Sequence, residues 1–335
     1  MTWLLTGGAG YIGSHIIRAF HAADIDVVVL DNLSTGFREF VPEGVPFVQG
    51  SVVDTEVVAG VFAEHDITGV VHLAGWKYAG VSVQEPTMFY RDNIYGMGVL
   101  LDAMREAGVS NMVFSSSCAT YGTPAEEIVT EATPTGPESP YGESKLVSEW
   151  LLRRVANIWP ELSQTSLRYF NVVGSGDPEL ADHSPYNLFP LVFRALDQGE
   201  APKIFGDDYP TRDGTCIRDY IHVVDLAEAL GVAAQALEAG RSLAPIYNVG
   251  RGEGSTVREI MTAVAAGTGV GFEPVVEPRR AGDPARIVAS ADLIDQDLGW
   301  VASRALDDMV TSAWSSWQHH VAAGGDARLP ERTLG

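Results

Sequence analysis

The sequence predicts an α/β protein in which a doubly wound parallel sheet carries a smaller α/β lobe formed by the later part of the chain. Three observations lead there. Short apolar, β-branched runs recur at residues 3–5, 25–30, 45–48, 69–73, 111–114 and 165–169, with helix-length segments between them, as expected of buried parallel strands joined by crossover helices. The first run leads directly into Thr6-Gly7-Gly8-Ala9-Gly10-Tyr11-Ile12-Gly13. Past residue 171 the regular alternation fails, so residues 1–170, with 219–245 packing back onto them, form one unit, 171–218 and 246–325 a second lobe, and 326–335 a tail.

The glycine stretch ends a strand and opens a helix, which presents backbone N–H groups and a helix N-terminus to a phosphate, the way a dinucleotide is gripped. Gly7 and Gly10 suit the tight turn and the close approach of a pyrophosphate, and Gly13 lets the helix sit close to the strand. A bare tight turn is the plainer reading of such a pattern. Its place behind the first strand, with Asp31 ending the next, argues for a Rossmann unit. At that strand end an acid accepts hydrogen bonds from ribose hydroxyls and repels a 2′-phosphate, which favours NAD over NADP; the alternative is an ordinary turn aspartate.

A helix at 55–65 separates the next two strands, and Leu73-Ala74-Gly75 ends the second of them with small residues that let a cofactor pass. A long helix follows at 86–107. The strand at 111–114 then runs into Ser115-Ser116-Ser117-Cys118-Ala119-Thr120-Tyr121-Gly122, whose hydroxyls face the ligand crevice of such a sheet. The loop 122–140 is a cover or a surface excursion. Ser139-Pro140-Tyr141-Gly142-Glu143-Ser144-Lys145 opens another helix. Tyr141 and Lys145, four apart, share a helical face; an ammonium beside a phenol favours phenolate, which predicts a lowered Tyr141 pKa and a proton acceptor near neutral pH. A surface cation–phenol contact is the plainer alternative. The last core strand ends in Arg168-Tyr169-Phe170-Asn171, and 171–218 reads as loop-rich. Residues 220–240 supply a strand end and a helix; Asn248-Val249-Gly250 and helices at 257–266, 291–298 and 306–320 complete the second lobe.

Composition narrows the function. With 335 residues, 46% of them hydrophobic, the chain has ample material for a core. A formal charge of −22 argues against binding nucleic acid or anionic membrane through a general basic surface, and makes any clustered arginines informative. Lysines are confined to Lys77, Lys145 and Lys203. No apolar run approaches the roughly 18 to 20 residues of a membrane span, and the chain enters a strand at once with no basic leader, so a cytoplasmic location is expected. Cys118 and Cys216 make no disulfide framework, and no Cys/His spacing suggests a metal; His319-His320 reads as solvated.

Taken together these residues resemble the extended short-chain dehydrogenase/reductases, and within them the UDP-glucose 4-epimerase group, over nearly the whole chain. The carriers are the stretch 6–15, Asp31-Asn32-Leu33-Ser34, the 115–122 run, Ser-Pro-Tyr-Gly-x-Ser-Lys at 139–145, Arg-Tyr-Phe-Asn at 168–171, Asn187-Leu188 and Arg218-Asp219-Tyr220-Ile221-His222-Val223. Gly206-Asp207-Asp208-Tyr209-Pro210-Thr211 with Asp213-Gly214-Thr215 is the part most specific to the epimerases.

The resemblance implies a permanently held NAD, recycled by oxidation of a sugar carbinol to a ketone and return of the hydride to its other face. It implies Tyr141 as general base and acid, Lys145 on the nicotinamide ribose and Ser117 on the sugar 4-hydroxyl. Gly7, Gly10, Tyr11, Ile12 and Gly13 would line the pyrophosphate, and Asp31, Asn32, Ser34, Thr35 and Gly36 the adenosine, with Ser51 and Val52 beside them. Leu73, Ala74, Gly75, Lys77, Asn93 and Ser115 would line the cofactor's middle and Phe170 the nicotinamide end. Asn171, Asn187, Leu188, Ile204, Phe205, Arg218, Arg280 and Asp283 would hold the UDP-sugar, and Ile287 would line the sugar pocket. A homodimer is implied through the helices near 86–107 and 141–158, with Leu146, Trp150 and Val155 as an apolar stripe that would otherwise face the subunit's own sheet.

Three positions depart from the group's pattern. Ser51 replaces its usual acid, and Asp92-Asn93 its usual Asn-Asn. At 287 tyrosine tends to exclude 2-acetamido sugars and a small residue to admit them; isoleucine, β-branched and stiff, predicts efficient glucose/galactose interconversion and weaker use of the N-acetylated pair, unless it is plain core or a one-residue register shift turns Arg286 to the pocket. Among rivals, a 4,6-dehydratase or decarboxylase would carry Thr-Asp-Glu where Ser-Cys-Ala stands at 117–119, and an NAD-sensing regulator would lose the Tyr/Lys pair. Epimerases of UDP-pentoses or UDP-hexuronates stay open.

Overall fold

A computed structural model describes residues 1–280 and 283–325; the tail expected at 326–335 lies outside the described residues. The chain begins with β1 (Thr2–Thr6), α1 (Tyr11–Ala22), β2 (Asp26–Asp31), β3 (Phe47–Gln49), α2 (Thr55–Glu64), β4 (Gly69–His72) and the short α3 (Ala79–Gln84). Next come α4 (Pro86–Phe89) and α5 (Gly96–Ala107), β5 (Asn111–Ser117), α6 (Pro140–Ala156), β6 (Ser163–Tyr169) and β7 (Asn171–Val173). After these lie α7 (Leu188–Asp197), β8 (Lys203–Phe205), β9 (Ile217–His222), α8 (Val223–Glu238), β10 (Ile246–Val249) and β11 (Gly254–Thr256). The described chain closes with α9 (Val257–Thr268), β12 (Val275–Glu277), β13 (Arg286–Ile287), α10 (Asp292–Leu298) and α11 (Leu306–Ala322).

The main sheet is parallel throughout, in the order β10-β6-β5-β4-β1-β2-β3. Alternation along β1 sends Trp3 and Leu5 to one face, where α1 and α8 cover them with Ile16, Phe20, Leu226 and Leu230, and Leu4 to the other, under Val58 of α2, Leu100 and Met104 of α5 and Leu152 of α6. Helices on both faces and a strand order that reverses between β1 and β4 make this the doubly wound architecture read from the sequence, with the ligand crevice at the carboxyl end of that reversal. The smaller lobe pairs β7, β11 and β13 with β9, and β8 with β12, around a core that includes Phe189, Phe193, Tyr220, Ile260 and Trp317.

Two expectations are corrected and one is refined. Ile246–Val249, read as part of the second lobe, is the edge strand of the main sheet, with Tyr247 opposite Leu167; the short run gives no sign of its partner, which is set by α8 packing back on α1. The segment 171–218 is loop-rich as expected, but it also contains α7, whose Pro190 falls in the first helical turn, where the missing N–H costs nothing. The helix at 86–107 is interrupted by a π-helical segment, Tyr90–Tyr95, which carries Asp92 and Asn93.

Candidate active site

The glycine turn is built as its sequence requires. Gly7 has φ +75°, and a Cβ there would lie 2.8 Å from the Ala74 amide nitrogen; at Gly13 a Cβ would lie 2.5 Å from the Gly7 carbonyl oxygen. The Gly7 N–H donates to the Leu30 carbonyl at 2.8 Å, which brings the end of β2 beside the turn. There Asp31, 8% exposed, accepts from the Ala9 N–H at 3.0 Å and the Leu33 N–H at 2.8 Å. Burial pushes its carboxyl up from the usual value while these two N–H groups pull it down.

A cavity of about 820 Å³ opens above this turn. Gly7, Gly10, Tyr11, Ile12 and Gly13 form its floor; Asp31, Asn32, Ser34, Thr35 and Gly36 line one end, with Ser51 and Val52. Leu73, Ala74, Gly75, Lys77, Ser115, Tyr141 and Lys145 line the other. The close glycine approaches, the N-terminus of α1 and an acid at the end of β2 fit a dinucleotide without a 2′-phosphate. Asn93 is absent from this wall. Its side chain is buried and holds the segment behind the wall, accepting from the Trp76 N–H at 2.8 Å and donating to the Trp76 carbonyl at 3.0 Å and the Ser144 hydroxyl at 2.9 Å. The neighbouring Asp92 accepts the Trp76 indole N–H at 2.5 Å and the Arg91 guanidinium at 2.7 Å, which accounts for an acid at that position.

A second cavity of about 730 Å³ adjoins the first, and Tyr11, Ile12, Lys77, Tyr141 and Tyr169 belong to both walls. It contains Ser117, Phe170, Asn171, Asn187, Leu188 and Phe205. Its far end holds Arg218, Arg280 and Asp283; Arg218 is buried and donates to Asp283 at 2.8 Å, while the Arg280 guanidinium stacks 3.9 Å from the Phe205 ring centroid. In a protein of such negative charge, two guanidiniums at one cavity end make a local anion site. Two of the expected residues lie off the wall. Ile204 is buried in the lobe core with Phe193 and Tyr220, because the alternation of β8 turns it inward and Phe205 outward. Ile287 pairs with Arg218 in register and sits behind the wall, packed with Phe170 and Cys118, while Arg286 donates to the Glu127 carbonyl instead of entering the pocket.

Tyr141 lies in the first turn of α6, with Pro140 at the first helical position and Ser139 accepting the Gly142 N–H at 3.2 Å. The phenol and Ser117 line the same wall of the second cavity. Lys145, 5% exposed, donates to the Ser115 carbonyl at 2.8 Å and lies over the Phe114 ring. This corrects the expected electrostatics. Burial, with Tyr169 adding to it, holds the Tyr141 phenol well above its usual value, the nearby Ser117 side chain opposing; the Lys145 ammonium is engaged by the strand carbonyl, and its own pKa is lowered to about 8 by burial, against the pull of Glu149. Tyr169, whose hydroxyl meets that of Ser115 at 2.5 Å, is a wall residue that the motif contained without its role being read. Trp76, Tyr186 and Arg194 also line the cavities, and no spacing signal marks them.

Such a site, two adjoining cavities meeting at a partly exposed tyrosine beside a buried lysine and serine on a Rossmann sheet, is that of a dinucleotide-dependent enzyme. The chain belongs to the NAD dependent epimerase/dehydratase family, whose model matches residues 3–250. It is 42% identical to the UDP-glucose 4-epimerase of Erwinia amylovora over 95% of this chain and 98% of that one. The fold is similar to that of a UDP-glucose-4-epimerase from Stenotrophomonas maltophila with bound NAD and formylated UDP-arabinopyranose (TM-score 0.91, 38% identity, 97% of this chain and 100% of that one). It is similar also to the Bifidobacterium longum UDP-glucose 4-epimerase in complex with NAD+ and UDP (TM-score 0.88, 36% identity, 95% and 98%).

Proposed function

We infer that this chain is an NAD-dependent epimerase that inverts C4 of a UDP-hexose, interconverting UDP-glucose and UDP-galactose through a transient 4-ketone. The observation that carries this is the shared wall: Tyr141 faces both cavities, one shaped for a dinucleotide and the other ending in the Arg218, Arg280 and Asp283 cluster. NAD supplies a hydride acceptor and donor there, and a cationic ring that favours phenolate. Tyr141 takes the proton of the 4-hydroxyl as C4 is oxidised and returns it as C4 is reduced, with the Ser117 hydroxyl stabilising the oxygen at both stages. Lys145, fixed by the Ser115 carbonyl, stands within the cofactor cavity to hold a ribose hydroxyl. Arg218 and Arg280 grip the diphosphate at the far end, and few polar groups fix the sugar, which must turn over between the two hydride transfers. Purified protein incubated with UDP-galactose and no added cofactor should yield UDP-glucose, and extraction should release NAD(H) and no NADP(H). UDP-sugar recovered unchanged from protein that contains NAD(H) would sink the epimerase reading.

A cytoplasmic homodimer completes the proposal. Among the described residues no helix is long and apolar enough to cross a membrane. Trp150 is 48% exposed and Tyr95 54%, on α6 and the π-helical segment, and together they offer an apolar contact. Leu146 is buried within the subunit, and Val155 packs against its own core, so the expected stripe reduces to Trp150.

A further inference from the structure

The segment from Ala181 to Tyr186 has no part in the chemistry above, yet it runs along the wall of the dinucleotide cavity, and two of its side chains touch opposite sides of that cavity. At one side the His183 ring lies 4.9 Å from Phe37 and 5.8 Å from Phe40, on the stretch that follows the Asp31 end of β2. At the other the Tyr186 ring lies 4.7 Å from Tyr78 at an interplanar angle of 62°, and Tyr78 immediately precedes α3. Phe37, Phe40, Tyr78, His183 and Tyr186 all line the same cavity. The segment comes from the chain between β7 and α7. Its bend is fixed locally: Asp182 accepts the Ser184 N–H at 3.0 Å and the Asn187 side-chain amide at 2.7 Å. Behind it, the His320 ring of α11 lies 4.1 Å from His183.

We propose that residues 181–186 are a strap across the dinucleotide, closed by two aromatic clasps, His183 on Phe37 and Phe40 and Tyr186 on Tyr78, and that the strap sets how slowly the cofactor leaves. This rests on the dinucleotide reading of the cavity. The glycine turn, Asp31 and Lys145 meet the cofactor from the sheet side, and none of them closes the mouth. A bound dinucleotide leaves only when both clasps part or the strap swings aside. Tyr186 is 54% exposed, so its ring gains little from burial and is held by the Tyr78 contact itself. Ring contacts of this kind, edge-to-face at Tyr186 and tilted at His183, are weak one by one, so each clasp is expected to slow release by a moderate factor.

The test is exchange of bound cofactor in the holoenzyme. Wild type, Tyr186→Ala, Tyr78→Ala, His183→Ala and the pairwise combinations are mixed with excess isotopically labelled NAD, and the labelled fraction retained by the protein is followed by mass spectrometry. Each single variant should exchange about two- to tenfold faster than wild type. Tyr78→Ala combined with Tyr186→Ala should be no faster than either alone, since both remove one clasp, whereas His183→Ala combined with Tyr186→Ala should multiply the two effects. Tyr186→Phe, which keeps the ring, should exchange at the wild-type rate and guards against a folding defect as the cause. Alanine variants exchanging at the wild-type rate, or Tyr186→Phe exchanging as fast as Tyr186→Ala, would overturn the strap. Wild-type protein that contains and takes up no nicotinamide dinucleotide would instead overturn the reading of the cavity, and the strap with it.

Discussion

At the scale of single residues, the site separates groups that face the reacting atoms from groups that hold them there. Tyr141→Phe removes the proton carrier and should lower kcat by about two to four orders of magnitude, with UDP binding by calorimetry nearly unchanged. Lys145 titrates at about 8 because it is buried, so its ammonium is lost above that pH. The alkaline limb of the kcat/KM profile should therefore fall near pH 8, and Lys145→Met should abolish that limb while lowering the plateau; a limb that persists in the variant would assign it to another group. Ile287 behaves differently from a wall residue. Packed behind Phe170 and Cys118, it acts on the sugar only by displacing them. Ile287→Ala is expected to cost about 2 to 4 kcal/mol of stability. It should shift the ratio of kcat/KM between glucose/galactose and the acetamido pair only modestly toward the latter, within the roughly 1 to 3 kcal/mol that pocket size can command. A large swing would place position 287 in direct contact with the sugar.

At the scale of elements, the catalytic helix is tied to the sheet by a buried ion pair. Arg168 of β6 donates to both carboxylate oxygens of Glu149 on α6, at 2.8 and 2.5 Å, and the Ser116 hydroxyl of β5 donates to the same carboxylate. Both charged side chains are almost fully buried. Arg168→Met should destabilise the protein by about 3 to 5 kcal/mol, because Glu149 would be left charged and unpaired, while Arg168→Met with Glu149→Met should recover most of the loss in chemical denaturation. An equally unstable double variant would show that the pair stabilises beyond removing its own desolvation cost. How much of all this the sequence reveals depends on the element. The glycine turn, Asp31 and the Tyr141–Lys145 spacing are legible because each is a local requirement on backbone or helix face. Ile204 and Ile287 are misread because the face of a short strand depends on its register, which the partner strand sets. Asn93 is misread because a polar residue that fixes a wall and one that lines it look alike in sequence. Asp92 is explained only once Trp76 is seen above it, and the strap residues carry no periodicity at all.

At the scale of the whole molecule, several imidazoles are held neutral inside it. His15 donates through Nδ1 to the Tyr11 carbonyl and accepts at Nε2 from the Gly176 N–H; His222 accepts at Nδ1 from the Val224 N–H. Burial lowers both to about 4, His72 to about 3 and His183 to about 4. These folded values lie below the unfolded one near 6.5, so stability is intact above pH 6.5 and is lost as pH falls toward 4, by up to about 1.4 kcal/mol per pH unit for each ring. Asp219 opposes them: burial raises its carboxyl to about 6, so between pH 6 and 4 the folded state takes up a proton first and gains stability. Four rings outweigh Asp219 and the likewise raised Asp31, and the thermal midpoint should begin to fall near pH 6.5; a midpoint flat down to pH 5 would contradict this. The placement of β10 beside β6 and of α8 on α1 also has a consequence for synthesis. A ribosome delivers the glycine turn early, yet the sheet that positions it gains its last strand only after residue 249 has emerged. Until α8 has emerged, the apolar face of α1, with Ile16 and Phe20, stands open on the nascent chain, a ready binding site for a chaperone late into translation.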